Sequence, residues 1–172
     1  DVIIIGNGIA GLYASMNLPP QMKVLNICKD FAWECNTFYA QGGITTARDE
    51  KDIGLHSRDT LEAGSFANDK AAVEMMSKES IGVIDDLIQR GFQFDQDNGK
   101  LQYTKEAAHS IARILHVGDA TGRYMHDFMM KENNHFLLKN SLVYDLLIKD
   151  SKCFGVKVMI EYQPYILKAK KV

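Results

Sequence analysis

Val2-Ile3-Ile4-Ile5 runs directly into Gly6-Asn7-Gly8-Ile9-Ala10-Gly11, and that junction constrains the chain more than any other stretch of it. Four β-branched apolar residues ahead of a glycine read as a short strand buried on both faces. Ile9–Leu18 reads as a helix stopped by Pro19-Pro20, and Val24–Ile27 as a second buried strand. A G-x-G-x-x-G pattern alone is weak. Between a strand and a helix, with a second strand following at βαβ spacing, it has the context it requires. Gly6 permits the tight turn, Gly8 lets the backbone approach a pyrophosphate, and Gly11 allows the helix to pack closely on the strand. The helix amides and dipole then face the phosphates. The expected fold class is α/β, Rossmann-like, with a parallel βαβ core, inserted helices and a small antiparallel sheet. A dinucleotide is expected on Gly6, Asn7, Gly8, Ile9, Ala10 and Gly11.

The motif leaves the identity of the dinucleotide open. A carboxylate at the end of the second strand normally holds the ribose hydroxyls. Here the strand leads into Cys28 and Lys29, with Asp30 after them. A cation at Lys29 suits an NADP 2′-phosphate, and equally a different set of ribose and loop contacts. Asn36-Thr37-Phe38-Tyr39-Ala40-Gln41-Gly42-Gly43-Ile44 comes next. Gly42-Gly43 frees the backbone to approach a flat ring or a phosphate, and Thr37 and Gln41 carry hydrogen-bonding groups. On physics alone this stretch is a binding loop or a structural turn with equal justification.

Residues 30–50 have no clear period and read as an ordered loop. Lys51–Ala63 and Asp69–Arg90 read as helices. Val73, Met76, Ile81, Ile84, Leu87 and Ile88 share one face of the second, and Gly91 stops it. Phe92–Phe94 and Leu101–Tyr103 flank Asp97-Asn98-Gly99, a hairpin signal. Thr121–Lys131 reads as a helix. His135–Leu138, Leu142–Ile148, Phe154–Ile160 and Tyr165–Val172 read as the small antiparallel sheet, with turns at Asp150-Ser151 and Tyr162-Gln163-Pro164. No linker divides the 172 residues. The last run reads as strand with no stop signal, so the chain reads as an excerpt of a longer protein.

Composition narrows the function classes. A net charge of -2 gives no electrostatic reason to expect nucleic acid or an anionic membrane. No apolar run approaches the ~20 residues of a bilayer span. Cys28, Cys35 and Cys153 are odd in number and lack C-x-x-C spacing, which argues against a disulfide framework or a zinc site and fits a reducing, cytoplasmic compartment. His56, His116, His126 and His135 show no metal-ligand spacing, so no metal is expected. Met75-Met76 and Met129-Met130 read as core filler.

N-T-F-Y-A-Q-G-G at 36–43, preceded by D-V-I-I-I-G-x-G-x-A-G-L at 1–12, resembles the succinate dehydrogenase and fumarate reductase flavoprotein family, which includes the L-aspartate oxidases. Asp59-Thr60-Leu61-Glu62-Ala63-Gly64, Thr104-Lys105-Glu106-Ala107-Ala108-His109-Ser110, Arg113-Ile114-Leu115-His116 and Asp119-Ala120-Thr121-Gly122-Arg123 follow at family spacing. Lys105 replaces an arginine, Cys28 replaces a serine, and 124–140 is shorter than in other members. The resemblance implies FAD, with Lys29 and the loop Asn36, Thr37, Phe38, Tyr39, Ala40, Gln41, Gly42 and Gly43 among its contacts. It makes 1–172 an incomplete FAD-binding domain whose capping and carboxy-terminal regions lie outside it.

Two positions separate the branches, although Asn36 alone leaves open the fumarate reductases that bind FAD without a covalent link, and Phe38-Tyr39 ahead of A-Q-G-G favours the aspartate-oxidising branch. Asn36 stands where the dehydrogenases carry the histidine that bonds FAD, which implies a non-covalent cofactor. Glu106 is the acid that the aspartate-oxidising branch turns toward the substrate ammonium, where dicarboxylate dehydrogenases carry a glutamine. A carboxylate pairs with an ammonium that succinate lacks. Read without the resemblance, Glu106 is an exposed acid, and His109 is a substrate contact or a structural hydrogen-bonder. The resemblance therefore implies oxidation of L-aspartate to iminoaspartate on the way to quinolinate and NAD. A small dicarboxylate is the substrate, oxygen or fumarate the electron acceptor, and quinolinate synthase a functional partner. The catalytic arginines and histidines are expected outside 1–172. The rivals are a fumarate reductase flavoprotein and a non-catalytic nucleotide-binding module.

Overall fold

A computed structural model describes all 172 residues. In chain order the elements are β1 (Val2–Ile5), α1 (Ile9–Met16), β2 (Val24–Ile27), α2 (Asn36–Tyr39), β3 (Ile44–Thr45), α3 (Ile53–Ala63), α4 (Lys70–Gln89), β4 (Gln96–Asp97), β5 (Lys100–Leu101), β6 (Tyr103–Thr104), β7 (Ile114–Leu115), α5 (Thr121–Glu132), β8 (Phe136–Leu138), β9 (Ser141–Lys149), β10 (Lys152–Ile160) and β11 (Gln163–Lys168). They form two compact units, one of residues 1–39 with 122–172 and one of residues 40–121. No helix is long and apolar enough to cross a membrane.

The first unit contains the βαβ core. β1 and β2 are parallel, Val2 opposite Val24 and Ile5 opposite Ile27. α1 lies on them through the fully buried Leu12 and Ser15. The third strand of this sheet is β8, parallel to β2 with Leu25 opposite Phe136. This corrects the expectation that 135–138 belongs to the antiparallel sheet. The stretch follows helix α5, and a strand returning after a helix joins its sheet in parallel. β9, β10 and β11 form the expected antiparallel sheet in the order β11-β10-β9. Ile3 and Ile27 pack against Val156 and Val158, with Leu25, Leu138, Val143 and Leu167 around them, so the two sheets share one core.

The second unit is built on α3 and α4. Asp69 caps α4 by accepting from the Ala72 amide at 3.0 Å, and Gly91, at φ +103, ends it. The buried face of α4 is Val73, Ser77, Ile84 and Leu87. Met75 and Met76 are exposed, against the expectation of core filler, while Met129 in the first unit is buried as expected. Within the stretch 30–50, which the sequence reads as an ordered loop, α2 forms a single turn and β3 joins β7 and β6 in a small sheet of order β3-β7-β6. Phe92–Phe94 is not a strand. The two rings are buried edge to face, 4.8 Å apart, and the hairpin begins at β4.

The three hairpins close with two residues each, Asn98-Gly99, Asp150-Ser151 and Glu161-Tyr162, and every one of those residues has positive φ. Such turns match the twist of the flanking strands. The sequence places the third turn at 162–164, and the structure has it one residue earlier, between Ile160 and Gln163. Pro164 lies instead in β11, an edge strand, where its missing donor is tolerated.

Candidate functional site

The glycine motif of the first unit is shaped as the sequence requires. Gly6 has φ +110, and a Cβ on Gly11 would collide with the Gly6 carbonyl. Gly8 opens α1 with extended backbone. Beside them lies a groove of about 390 Å³ lined by Gly6, Asn7, Gly8, Cys28, Lys29 and Cys35, among others. Two expected cofactor contacts have duties within the protein. The buried Asn7 side chain donates to the Ala32 carbonyl at 2.9 Å and to Met130 Sδ at 3.3 Å, tying the turn to the 31–33 loop and to α5. Thr37 Oγ1 accepts from the Ile9 amide at 2.9 Å, so it caps α1.

The rest of this unit's candidates are arranged around that cap. Asn36 and Tyr39 are exposed, and the Tyr39 hydroxyl donates to Glu34 at 2.7 Å. Phe38 stands edge-on to the buried His126 ring, 5.6 Å away. His126 in turn meets the Ala32 carbonyl at 2.9 Å. Lys29 is exposed on the groove. Cys28 is buried and exchanges backbone bonds with Leu138 and Ser141, and burial pushes its thiol pKa up. A bare backbone at Gly6–Gly8, one exposed cation and a Cβ-free helix start fit the phosphates of a dinucleotide.

In the second unit Gln41, Gly42 and Gly43 border a pocket of about 240 Å³ with Thr104, Glu106, His116, Gly118 and Asp119. A Cβ on Gly43 would collide with the Leu115 carbonyl and the Ile114 side chain, because the loop enters β3 directly against β7. Gly42 is open, with Glu106 Oε1 3.7 Å from where its Cβ would lie. The structure therefore sets Glu106 on the Gln41–Gly43 loop. A flat ring fits the open backbone at Gly42.

His109 is placed elsewhere, and here the structure assembles residues whose grouping sequence reasoning missed. Arg113 is completely buried. Its Nη2 and Nε reach both oxygens of Asp52 at 2.7 and 3.2 Å, its Nη1 donates to Asp59, and Nη1 also meets His109 Nδ1 at 3.3 Å. Guanidinium has no acceptor, so Nδ1 accepts and Nε2 faces Thr45 Oγ1 at 3.5 Å. Ser110 donates its amide, at 2.7 Å, and its hydroxyl to Asp59. Burial raises the Asp59 pKa, but the Ser110 and Arg113 bonds outweigh it and hold it at about 2. Burial likewise opposes ionisation of Asp52, yet Arg113 and the Arg48 amide keep it below the usual carboxylate range. Burial and then the Arg113 charge push His56 down. Glu106 and His109 thus face different surroundings despite their spacing of three.

The family model described as FAD binding domain matches residues 1–171. L-aspartate oxidase of Clostridium acetobutylicum is 41% identical over 175 residues, covering 99% of this chain and 40% of that protein. That of Clostridium perfringens is 34% identical, covering 100% and 40%, and that of Bacillus subtilis 39%, covering 90% and 30%. The chain thus spans at most about two fifths of the length of these relatives. In fold it matches a variant of the E. coli quinol fumarate reductase FrdA with a TM-score of 0.90 at 22% identity, covering 100% of this chain and 32% of that one. Mycobacterium smegmatis Sdh1 in complex with UQ1 gives 0.86 at 23%, covering 98% and 32%. The chain belongs to the FAD-binding domain family, and its cofactor is FAD.

Proposed function

We propose that the protein to which this chain belongs is an FAD-dependent oxidase of L-aspartate, forming iminoaspartate. One observation carries the choice of substrate: Glu106 stands on the Gln41–Gly43 loop in a pocket lined by no lysine or arginine. A carboxylate there favours a substrate bearing an ammonium over succinate or fumarate. The L-aspartate oxidase relatives support the same reading.

When bound, FAD supplies a two-electron acceptor, and the protein positions and orients. The pyrophosphate is assigned to Gly6, Gly8 and Gly11 with Lys29, and the flavin ring to Gln41, Gly42 and Gly43. Asn7 and Thr37 hold the turn and helix in shape. Asn36 offers no nucleophile for a covalent tether. Glu106 holds the ammonium, while His109 braces the 104–110 segment. Electron acceptance by oxygen or fumarate, use of iminoaspartate by quinolinate synthase and a reducing compartment are parts of the same proposal. The last is supported by three free cysteines.

The test is Glu106→Gln in the full-length, FAD-loaded protein. A hydrogen bond to a charged group contributes about 1.5–3 kcal/mol, so kcat/KM for aspartate falls by about ten- to a hundredfold. Fumarate has no ammonium, and its reduction falls much less. A parallel fall in both activities removes the basis of the substrate assignment.

A further inference from the structure

The Glu106 pocket contains a second ionisable device. His116 follows β7 directly, and Asp95 precedes β4. Their backbones are joined by the Asp95 amide on the His116 carbonyl at 2.9 Å. Their side chains meet as well, His116 Nδ1 to Asp95 Oδ2 at 2.9 Å. The same oxygen accepts the Gly118 amide at 2.8 Å. An ionised carboxylate only accepts, so Nδ1 carries the proton of this bond, and the neutral ring presents a lone pair at Nε2. Nε2 is shielded from solvent and finds no partner within the chain. A buried polar atom without a partner costs about 1–3 kcal/mol and calls for an explanation. A ring fixed by a carboxylate at one nitrogen and unengaged at the other, beside a ligand pocket, is the arrangement of a general base.

We propose that His116, oriented by Asp95, takes the proton that the substrate ammonium must lose. This rests on the reading of the protein as an oxidase of an amino acid. A protonated amine has no lone pair with which to expel a hydride. Transfer of one N–H proton to His116 Nε2 frees that pair. The pair then forms the C=N bond as the Cα–H bond breaks, and the hydride leaves with both electrons for FAD. The other charged groups on the pocket are Glu106 and Asp119, both exposed, and Lys105 is turned away with its Nζ on the Ser110 carbonyl at 3.0 Å. In this proposal the substrate amine reaches His116 Nε2 from the pocket that the ring lines. Glu106 holds the ammonium, and His116 deprotonates it.

The experiment uses the full-length, FAD-loaded protein with His116→Gln, His116→Gly and Asp95→Asn. General-base catalysis contributes about a hundredfold or more, so His116→Gln lowers kcat/KM for aspartate by at least that factor and removes the acid limb of its pH profile. Free imidazole restores activity to His116→Gly, which a packing role would not allow. Independently of turnover, 15N-histidine NMR shows the neutral His116 ring as the Nδ1–H tautomer, and Asp95→Asn mixes the two tautomers. Equilibrium FAD affinity, measured by flavin fluorescence, stays within about threefold of wild type in all three variants. Wild-type protein that does not oxidise aspartate sinks the functional reading and this inference together. Active wild type with an unchanged His116→Gln profile, or with no imidazole rescue, sinks this inference alone.

Discussion

Asp59→Asn removes one carboxylate from the buried group around Arg113, and the structure sets the size of the effect. Asp59 receives the Ser110 amide and hydroxyl and one Arg113 N–H, and its side chain is 6% exposed. Its pKa lies at about 2 against the ordinary 3.8. At about 1.4 kcal/mol per pH unit, that difference amounts to about 2 kcal/mol of stability. The folded-state value is depressed, so this contribution is full above the ordinary carboxylate range and is lost as pH falls toward 2. Leaving a buried cation without its partner costs about 3–5 kcal/mol. Here Asp52 keeps Arg113 paired at two atoms, and asparagine can still accept from Ser110, so the expected loss at pH 7 is about 2 kcal/mol. The assay is a urea titration at pH 7 and pH 3, with hydrogen exchange of the Ser110 amide as local probe. Wild type loses stability between the two pH values, and the variant loses clearly less. A variant within about 0.5 kcal/mol of wild type at pH 7, the range of ordinary surface changes, would refute the reasoning.

Gly43→Ala drives a methyl group into the β7 backbone, so it lowers the melting temperature of the full-length protein, whereas Gly42→Ala, with 3.7 Å to Glu106, leaves it nearly unchanged. Thr37→Val removes the oxygen that accepts the Ile9 amide and costs about 1 kcal/mol in a urea titration, by the usual effect of losing a helix cap. Acid precipitation of the full-length protein leaves its flavin in the supernatant, because Asn36 cannot bond it, and flavin retained in the washed pellet contradicts that reading.

The βαβ core was legible because its signals are local. A β-branched run, a glycine at positive φ and paired prolines each fix the backbone within a few residues. The Asn98-Gly99 hairpin was legible for the same reason. Glu161-Tyr162 was not, since neither residue favours positive φ and only the strand register Ile160 opposite Gln163 forces it. The parallel place of β8 was hidden because three apolar residues carry no information about strand direction. The exposure of Met75 and Met76 was hidden because a helix of 20 residues offers more than one apolar stripe, and packing against α3 selects among them. The Arg113 group was illegible as a group. Arg113 lies 61 residues from Asp52 and 54 from Asp59, and no local pattern links it to them. The available signal was that Asp59, His109, Ser110 and Arg113 all fell inside family-like runs whose purpose the sequence left unstated.

The 104–110 run divides into a part that holds and a part that presents. Ser110 and His109 are tied to the buried Asp59 and Arg113, while Glu106 stands exposed on the Gln41–Gly43 loop. The His109 amide on the Glu106 carbonyl, at 3.1 Å, closes the turn between them. The position of the Glu106 carboxylate therefore depends on an ion group that a substrate need not touch. Losing the Asp59 charge loosens the anchor of the same short turn that carries the acid. Asp59→Asn should accordingly raise KM for aspartate in the full-length protein more than it lowers kcat, since a displaced carboxylate weakens binding before it alters chemistry. Loss of FAD instead, with KM unchanged in the fraction still loaded, would show that the buried group supports the cofactor and not Glu106.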